Sequence, residues 1–376
     1  MRRIYLDHHA TTPVLPEVAE AMAPFLREAF ADPWIAVYRE ASEAAEAVEE
    51  ARARVAALVG ARPSEVVLTS GATEANNHAI KGALGSRKRG RDRLVTSAVE
   101  HASVLEPCSW AARAGVGVLE LPVDGLGRVD PGAVREALET PSFLVSIQLA
   151  SGEIGTIQPI RDIAALTRER GALLHVDAAQ AVGRIPVDFA TLGADLLSLT
   201  AHKLHGPKGA GALVVRRGVR IEPLLHGKGQ ERGRRSGTVH VAGAVGLGAA
   251  CAAAARDLEA EGTRIAALRD RLWEGIRGGI RGVRWNGDPA SGLPGNLSVT
   301  FEGVSAVALI QGLRTIAVST GSGCSSANPE PSHVLLAIGA TEEQADATLR
   351  FGLGRGNTAG EIDETIEALV REVGRL

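Results

Sequence analysis

The segment RDIAALTRERGALLHVDAAQAVG, residues 161–183, is followed by ADLLSLTAHKLHGPKG, residues 194–209. In each segment a short apolar strand runs directly into polar residues at a turn, and a helical pattern precedes the first strand. Short apolar strands that alternate with helices are typical of a largely parallel sheet with helices on both faces. Functional groups in such folds lie beyond the carboxyl ends of the strands. The two segments therefore predict an α/β fold in which Asp177 and Lys203 stand at functional positions.

The same alternation extends over most of the chain. The segment at residues 41–60, ASEAAEAVEEARARVAALVG, places Val48, Ala51 and Val55 at helical spacing. After about residue 257 a long helix, a strand and a closing helix indicate a smaller α+β domain. We expect a large domain over residues 15–257, and a small domain built from residues 1–14 and 258–376 that carries a cysteine loop at about residues 318–332.

Composition restricts the class of protein. The 376 residues are 45% hydrophobic and 23% charged, with a net charge of −3, which indicates a globular protein without overall attraction to membranes or nucleic acid. The N-terminus lacks a signal-peptide pattern, so we expect a cytoplasmic protein that contacts no membrane and binds no nucleic acid directly. The basic run GSRKRGRDR, residues 85–93, is interpreted as a solvated loop, with a docking patch for an acidic partner or RNA as the alternative.

The three cysteines occur in different settings. Cys108 and Cys251 lie in helical, apolar or Ala-rich stretches, where we expect them to pack as small hydrophobic residues. Cys324 instead lies in GSGCSSANPEPSHVL, residues 321–335, among Gly, Ser, Asn and Pro. So sparse a set predicts free thiols in a reducing compartment, and the polar setting of Cys324 indicates a functional thiol.

Three polar features follow strand-like segments and match one cofactor. Lys203 ends an apolar run, Asp177 ends another, and SGATEAN offers Ser70, Thr73 and free backbone N–H groups at a predicted helix start. A lysine, a carboxylate and a phosphate cradle are the groups that pyridoxal phosphate needs. His101, in SAVEHASV, follows a further strand and could stack on the ring or transfer protons. No histidine or cysteine grouping has convincing metal-ligand spacing, so we expect no metal site.

Eight motifs extend this pattern along nearly the whole chain: LDHHATTP, TSGATEANN, VEHASVLE, HVDAAQAVGRIPVD, TAHKLHGPKGAGALVVRR, GQERGRRSGT, STGSGCSSANPEPSHVL and RFGLGR. Their order and spacing resemble those of the NifS/IscS-like cysteine desulfurases, within the class V aminotransferase-like group of fold-type I pyridoxal phosphate enzymes. The resemblance implies a large domain with a mostly parallel seven-stranded sheet flanked by helices, plus a smaller α+β C-terminal domain. It also implies a homodimer.

The resemblance assigns a role to each matching residue. Lys203 matches the Schiff-base lysine, Asp177 the partner of the pyridine nitrogen, His101 the stacking imidazole and Cys324 the nucleophile. The other implied roles are a donor to the ring hydroxyl, Gln180; cofactor contacts, mainly to the phosphate, from Ala72, Thr73, Thr200 and His202; a contact to the phosphate of the other subunit's cofactor, Thr238; and a clamp for the substrate carboxylate, Arg350. The implied reaction converts L-cysteine to L-alanine and leaves a persulfide on Cys324, which passes its sulfur to an acceptor such as an iron–sulfur scaffold or a thiolation enzyme.

Three segments depart from the family pattern. Ser151-Gly152-Glu153 stands where the family has Asn-Asn-Glu, so an asparagine that contacts the ring hydroxyl and the substrate is missing. DPWIAVYRE, residues 32–40, replaces the family's Asn-Pro-Ser-Ser segment, and GKGQE brings Lys228 toward the neighbouring subunit's cofactor. These departures predict an altered rate or substrate preference.

Two other functions stay open at this point. A selenocysteine lyase or a class V aminotransferase would use the same lysine and cofactor, although the cysteine loop disfavours plain transamination. A non-catalytic scaffold in a sulfur-transfer complex would account for the departures at Gly152 and residues 32–40. The sequence does not name the sulfur acceptor.

Overall fold

The computed structural model describes residues 3–35, 37–320 and 330–376, so Cys324 lies outside the described residues. Its α-helices are α1 Pro16–Met22, α2 Pro24–Arg27, α3 Arg39–Leu58, α4 Ala72–Gly85, α5 Ala102–Arg113, α6 Pro131–Ala137, α7 Ile160–Arg170, α8 Phe189–Leu192, α9 Val241–Gly279, α10 Ala306–Gly312, α11 His333–Ala337, α12 Glu342–Asp346 and α13 Ala359–Val373. Its strands are β1 Ile4–Tyr5, β2 Val66–Thr69, β3 Arg93–Ser97, β4 Gly117–Leu121, β5 Ser142–Gln148, β6 Leu173–Asp177, β7 Leu196–Thr200, β8 Gly211–Val215, β9 Val283–Asn286, β10 Asn296–Phe301, β11 Ile316–Ala317, β12 Ser319–Thr320 and β13 Thr348–Gly352.

A seven-stranded sheet forms the centre of the protein. Its strand order is β2-β8-β7-β6-β5-β3-β4, and β8 alone runs antiparallel to its neighbours. The parallel strands β5, β6 and β7 are in register so that Gln148 lies beside Asp177, and Asp177 beside Ser198. The predicted α/β fold with a mostly parallel seven-stranded sheet is confirmed.

Helices cover both faces of this sheet. Along β5, Leu144 packs with α4 and α5 on one face, and the next residue, Val145, packs with α3, α7 and α9 on the other. Successive strand residues point to opposite faces, so a sheet that is buried on both sides needs apolar residues at consecutive positions. The continuous apolar runs in the sequence are explained by this arrangement.

A second hydrophobic core lies around the C-terminal part of the chain. The antiparallel sheet β12-β13-β10-β9 packs there against α13 and the second half of α9. Ile4 and Leu6 from the N-terminus join the same core. The predicted boundary at residue 257 falls inside α9, and the division into two domains stays a prediction.

Helix α9 connects the two cores. It is long and apolar enough to span a membrane, but 72% of its apolar window is buried inside the protein. Val241 to Ala254 pack mainly on the first core, and Leu268, Leu272 and Ile276 pack on the second. Its apolar character is therefore that of a core helix.

Candidate active site

The carboxyl ends of the parallel strands meet at one edge of the central sheet. Strands β2, β3, β5, β6 and β7 end there at Thr69, Ser97, Gln148, Asp177 and Thr200. Each of the predicted segments around Thr73, His101, Gly152, Gln180 and Lys203 begins within a few residues of one of these ends. Strand topology thus brings together residues that lie far apart in sequence.

Asp177 is held at the centre of this edge. Its side chain is buried, Oδ2 accepts a hydrogen bond from Asn76 Nδ2 at 2.7 Å, and Oδ1 accepts one from the Ala179 amide at 2.9 Å. Both donors fix the orientation of the carboxylate. A base placed opposite it would therefore meet a rigid acceptor.

His101 caps the N-terminus of α5. Its Nδ1 accepts a hydrogen bond from the Ser103 amide at 3.0 Å and lies 2.8 Å from Ser103 Oγ. Part of the ring surface is exposed, yet surrounding protein displaces water from the rest. Burial and the Lys203 ammonium lower the pKa of His101, Asp177 raises it, and His333 lowers it, with a net decrease.

Lys203 closes the 3₁₀ turn Ala201–Lys203 that follows β7 directly. Its side chain is partly exposed, and its carbonyl oxygen accepts a hydrogen bond from Arg184 Nη2 at 3.3 Å. The influence of its ammonium on His101 indicates that the two side chains share one electrostatic environment. The lysine is thus presented on a short rigid turn.

The phosphate cradle predicted from the sequence corresponds to the N-terminus of α4. Gly71 precedes the helix with φ 145°, and no side chain caps the first-turn amides that include Ala72 and Thr73. A Cβ at Gly71 would project toward Thr200, 3.6 Å from its Oγ1. Uncapped amides and the helix dipole would stabilise an anion at this end of α4.

His202 and Gly211 border the same cradle. His202 Nδ1 lies 3.1 Å from Thr11 Oγ1, and burial followed by Lys203 lowers the pKa of His202 to about 4. A Cβ at Gly211 would lie 2.6 Å from Gly71 Cα, so only glycine lets β8 approach the turn this closely. Because its pKa is about 4, His202 is neutral at pH 7.

Gln180 faces the family departure at Gly152. Its Nε2 donates to the His9 carbonyl at 3.1 Å, and its Oε1 accepts a hydrogen bond from Arg184 Nη1. A Cβ at Gly152 would lie 2.2 Å from Gln180 Nε2. In this protein, therefore, the Gln180 amide fills space that a side chain at position 152 would enter.

Arg350, on β13, is buried beside the same loop. Its Nη1 donates to the Gly152 carbonyl at 3.2 Å, and its Nη2 donates to Asp7 Oδ1 at 3.0 Å and to Ser319 Oγ at 2.9 Å. Its Nε is buried without a hydrogen-bond partner among the described residues. A carboxylate ligand would thus satisfy a donor and compete with Asp7 for this guanidinium.

Ser332 and His333, which follow residues 321–329 in the sequence, lie beside the same edge of the sheet. Ser332 Oγ donates to Glu153 Oε2 at 2.5 Å, and His333 Nε2 donates to the Glu100 carbonyl at 2.9 Å. Burial raises the pKa of Glu153 and raises that of Glu100 to about 8. The segment after Cys324 is therefore attached to two strand-end loops of the site.

Thr238 is exposed at the end of the segment 229–238, which we call the arm and which contains both buried and exposed residues. Glu231 in the arm forms a buried pair with Arg52, at 2.7 and 2.9 Å, and accepts the Leu68 amide at 2.8 Å. Arg235 pairs with Glu74 of α4, at 2.9 Å. The arm is thus attached to both sides of the cradle, and its exposed Thr238 lines a pocket together with Thr69 and Ser70.

The two other cysteines are buried in the cores, as predicted. Cys108 and Cys251 have no exposed surface, and burial raises the pKa of each thiol to about 12. Both are protonated at neutral pH and poorly nucleophilic.

Sequence reasoning missed four side chains of this site. Asn76 follows Thr73 by one helical turn, and Ser103 follows His101 by two residues. Both lie inside the motifs SGATEAN and SAVEHASV, but the sequence does not indicate which residues they would contact. Asp7 and His9 are in the N-terminal LDHHATTP motif, more than 140 residues from the residues that they contact. Only the tertiary structure brings them together.

Comparison with known proteins places these features in a family. The sequence profile of the family described as Aminotransferase class-V matches residues 4–365. The chain therefore belongs to the class-V aminotransferase family, whose members use pyridoxal phosphate.

Within this family the chain is similar to cysteine desulfurases. It is 46% identical over 377 residues to the cysteine desulfurase IscS of Salmonella arizonae, covering 99% of this chain and 93% of that protein. A solved NifS-like protein matches with a TM-score of 0.93 at 35% identity, covering 100% of both chains. The structure of SspA in complex with cysteine matches with a TM-score of 0.82 at 36% identity, covering 93% of this chain and 98% of that one. The predicted resemblance to NifS/IscS-like desulfurases is confirmed.

Proposed function

We infer that this protein is a pyridoxal phosphate-dependent cysteine desulfurase that converts L-cysteine to L-alanine and transfers the sulfur to Cys324. The match along 99% of the chain to a protein named cysteine desulfurase carries the inference. The complex of a similar protein, SspA, with cysteine supports the choice of substrate.

The residues at the sheet edge fit pyridoxal phosphate by their chemistry. The α4 amides at Ala72 and Thr73, with Thr200 and His202, would hold the phosphate, and the fixed Asp177 carboxylate would face the pyridine nitrogen. Lys203 would bond to the aldehyde carbon of the cofactor. His101 would stack on the face of the ring, and Gln180 would donate a hydrogen bond to the ring hydroxyl. When bound, the cofactor withdraws electrons from the substrate Cα and so acidifies its proton.

Three of the protein's own groups then act on the substrate. Arg350 binds the substrate carboxylate in exchange for its contact with Asp7. Lys203 Nζ removes the proton from Cα. Cys324 Sγ, as a thiolate, bonds to the substrate sulfur while the Cβ–S bond breaks. The sulfur stays on Cys324 as a persulfide, and the three-carbon product takes up protons and leaves as alanine.

The test is product formation from L-cysteine with a reductant. We expect alanine and sulfide in equal amounts from the wild type and from Cys251→Ala, which removes a buried thiol as the matched control. We expect neither product from Cys324→Ala or Lys203→Ala. Alanine production that survives Cys324→Ala would contradict the assignment of the nucleophile, and a protein that binds the cofactor yet forms no product would support the scaffold function.

We propose a cytoplasmic homodimer that passes sulfur to an acceptor protein, such as an iron–sulfur scaffold or a thiolation enzyme. The exposure of Thr238 supports the dimer, since the same side chain is implied to contact the other subunit's cofactor. Mixing Lys203→Ala and Thr238→Ala subunits tests this: a mixed dimer has one complete site, so activity should return to roughly a quarter of wild type on random pairing. No recovery after subunit exchange would contradict the shared site.

A further inference from the structure

Two side chains outside the predicted site join Asp177 to His101. Asn76 Nδ2 lies 2.7 Å from Asp177 Oδ2 and 2.8 Å from Ser103 Oγ, and Ser103 Oγ lies 2.8 Å from His101 Nδ1. Asn76 has no exposed surface, and Ser103 is 7% exposed. A continuous buried chain of hydrogen bonds therefore connects the two groups that would flank the cofactor ring.

The chemistry of the partners gives each hydrogen bond a direction. The Asn76 amide nitrogen can only donate, so it donates both to the carboxylate and to Ser103 Oγ. Ser103 Oγ, which accepts from Asn76, directs its own proton to His101 Nδ1. The Ser103 backbone N–H donates to the same nitrogen at 3.0 Å.

His101 Nδ1 thus receives two donors. A neutral imidazole has one acceptor nitrogen and one protonated nitrogen, so the proton lies on Nε2. The ring's only lone pair in the plane points at Ser103 and is unavailable to a substrate.

The groups around the His101 ring also favour the neutral imidazole. Lys203 after β7 and His333 of α11 lower the pKa of His101, and the Asp177 carboxylate at the end of β6 raises it. Burial is the largest of these causes, and the net effect lowers the pKa of His101 below its usual value of 6.5, which favours the neutral ring at pH 7.

We propose that Asn76 and Ser103 are positioning residues that hold His101 neutral with its proton on Nε2, so that His101 acts as a hydrogen-bond donor and not as a base. The role in the reaction depends on the proposed desulfurase function, whereas the tautomer does not. Proton removal from the substrate then depends on the Lys203 amine alone.

Nitrogen-15 NMR of histidine-labelled protein tests the tautomer directly, with and without the cofactor. The His101 signals are identified by their loss in His101→Gln. We expect a protonated Nε2 and an unprotonated Nδ1 at pH 7. Ser103→Ala should raise the pKa of His101 by roughly one unit, the equivalent of one hydrogen bond. Ser109→Ala, an exposed position on the same helix, is the matched control and should leave that pKa unchanged.

The pH profile of alanine formation separates a donor from a base. If His101 is not a base, the acid limb of kcat/KM keeps its midpoint in Ser103→Ala although the pKa of His101 has moved. An acid limb that moves with that pKa would overturn the proposal, as would a protonated Nδ1 in the wild type. Asn76→Leu, which removes both amide donors, should also raise the pKa of His101. If that pKa is unchanged in both Ser103→Ala and Asn76→Leu, Ser103 acts only as part of the helix cap and the proposal is wrong. Correct NMR results without alanine formation would contradict the desulfurase function and leave the tautomer assignment intact.

Discussion

At the scale of single residues, Gly152 has the clearest local consequence. The resemblance predicts an asparagine at this position, and the Gln180 amide lies where a Cβ at position 152 would project. Gln180 in turn is held by His9 and Arg184. The substitution is therefore coupled to the orientation of a residue that is proposed to contact the cofactor.

We predict that Gly152→Ala destabilises the protein by about 1–2 kcal/mol, because Gln180 must turn away and lose its hydrogen bonds. Urea unfolding measures the change. In Gln180→Ala the same glycine substitution should cost little, because the obstructing amide is gone. Gly356→Ala, where a Cβ would meet nothing within 4 Å, is the control, and an equal effect at both glycines would refute the coupling.

At the scale of elements, the arm at residues 229–238 is held in a strained conformation. Glu231 and Arg232 have φ angles of 50° and 59°, which non-glycine residues rarely adopt. The bidentate pair between Arg52 and Glu231, with side chains 4% and 3% exposed, offsets this strain. Since Glu231 also binds the Leu68 amide, the pair attaches the arm to the strand that leads into the cradle.

We predict that Glu231→Gln lowers the free energy of unfolding by about 3–5 kcal/mol, because it removes the buried counter-ion of Arg52 and leaves only the largely exposed Glu49 as its partner. The control is Asp363→Asn, which breaks the exposed bidentate pair with Arg271 and should have no measurable effect. Urea unfolding of the two variants compares them. Similar urea midpoints for Glu231→Gln and Asp363→Asn would mean that the buried Arg52–Glu231 pair stabilises the protein no more than an exposed pair does.

At the scale of the whole molecule, buried histidines set the response to acid. Burial lowers the pKa of His8 to about 3, and it is the main cause that lowers the pKa values of His78, His175 and His202 to about 4. Between pH 6.5 and 4 the unfolded chain binds protons at these positions and the folded protein does not, so acid favours unfolding. Glu100 acts in the opposite sense between pH 4.5 and 8, because its raised pKa, about 8, makes the folded protein keep a proton that the unfolded chain loses.

The pKa values of seven histidines are lowered in the folded protein, whereas those of three carboxyl groups, Glu100, Glu153 and Asp195, are raised, so we predict that stability falls as the pH is lowered from 6.5 to 4.5. Urea midpoints across this range measure the effect. His175→Asn removes one fully buried imidazole and should reduce the slope by up to about 1.4 kcal/mol per pH unit. An unchanged slope in that variant would show that His175 does not contribute.

Much of the fold and of the site could be predicted because the signals are local. Apolar runs on consecutive positions indicated a sheet buried on both faces, and the polar residues that end those runs, Asp177 and Lys203, marked its functional edge. Cys108 and Cys251 were recognisable as core residues from their apolar neighbours.

The sequence by itself determined the fold class, the family and the strand-end residues, since short-range patterning and motif order carry that information. Only the tertiary structure decided that Asn76 and Ser103 connect Asp177 to His101, that Gln180 opposes Gly152, and that Asp7 engages Arg350. These contacts join residues that are up to 343 positions apart. The direction of a hydrogen bond or the space for one Cβ depends on distances that local patterns do not encode, and these distances are set when the sheet, the helices and the N-terminal segment pack together.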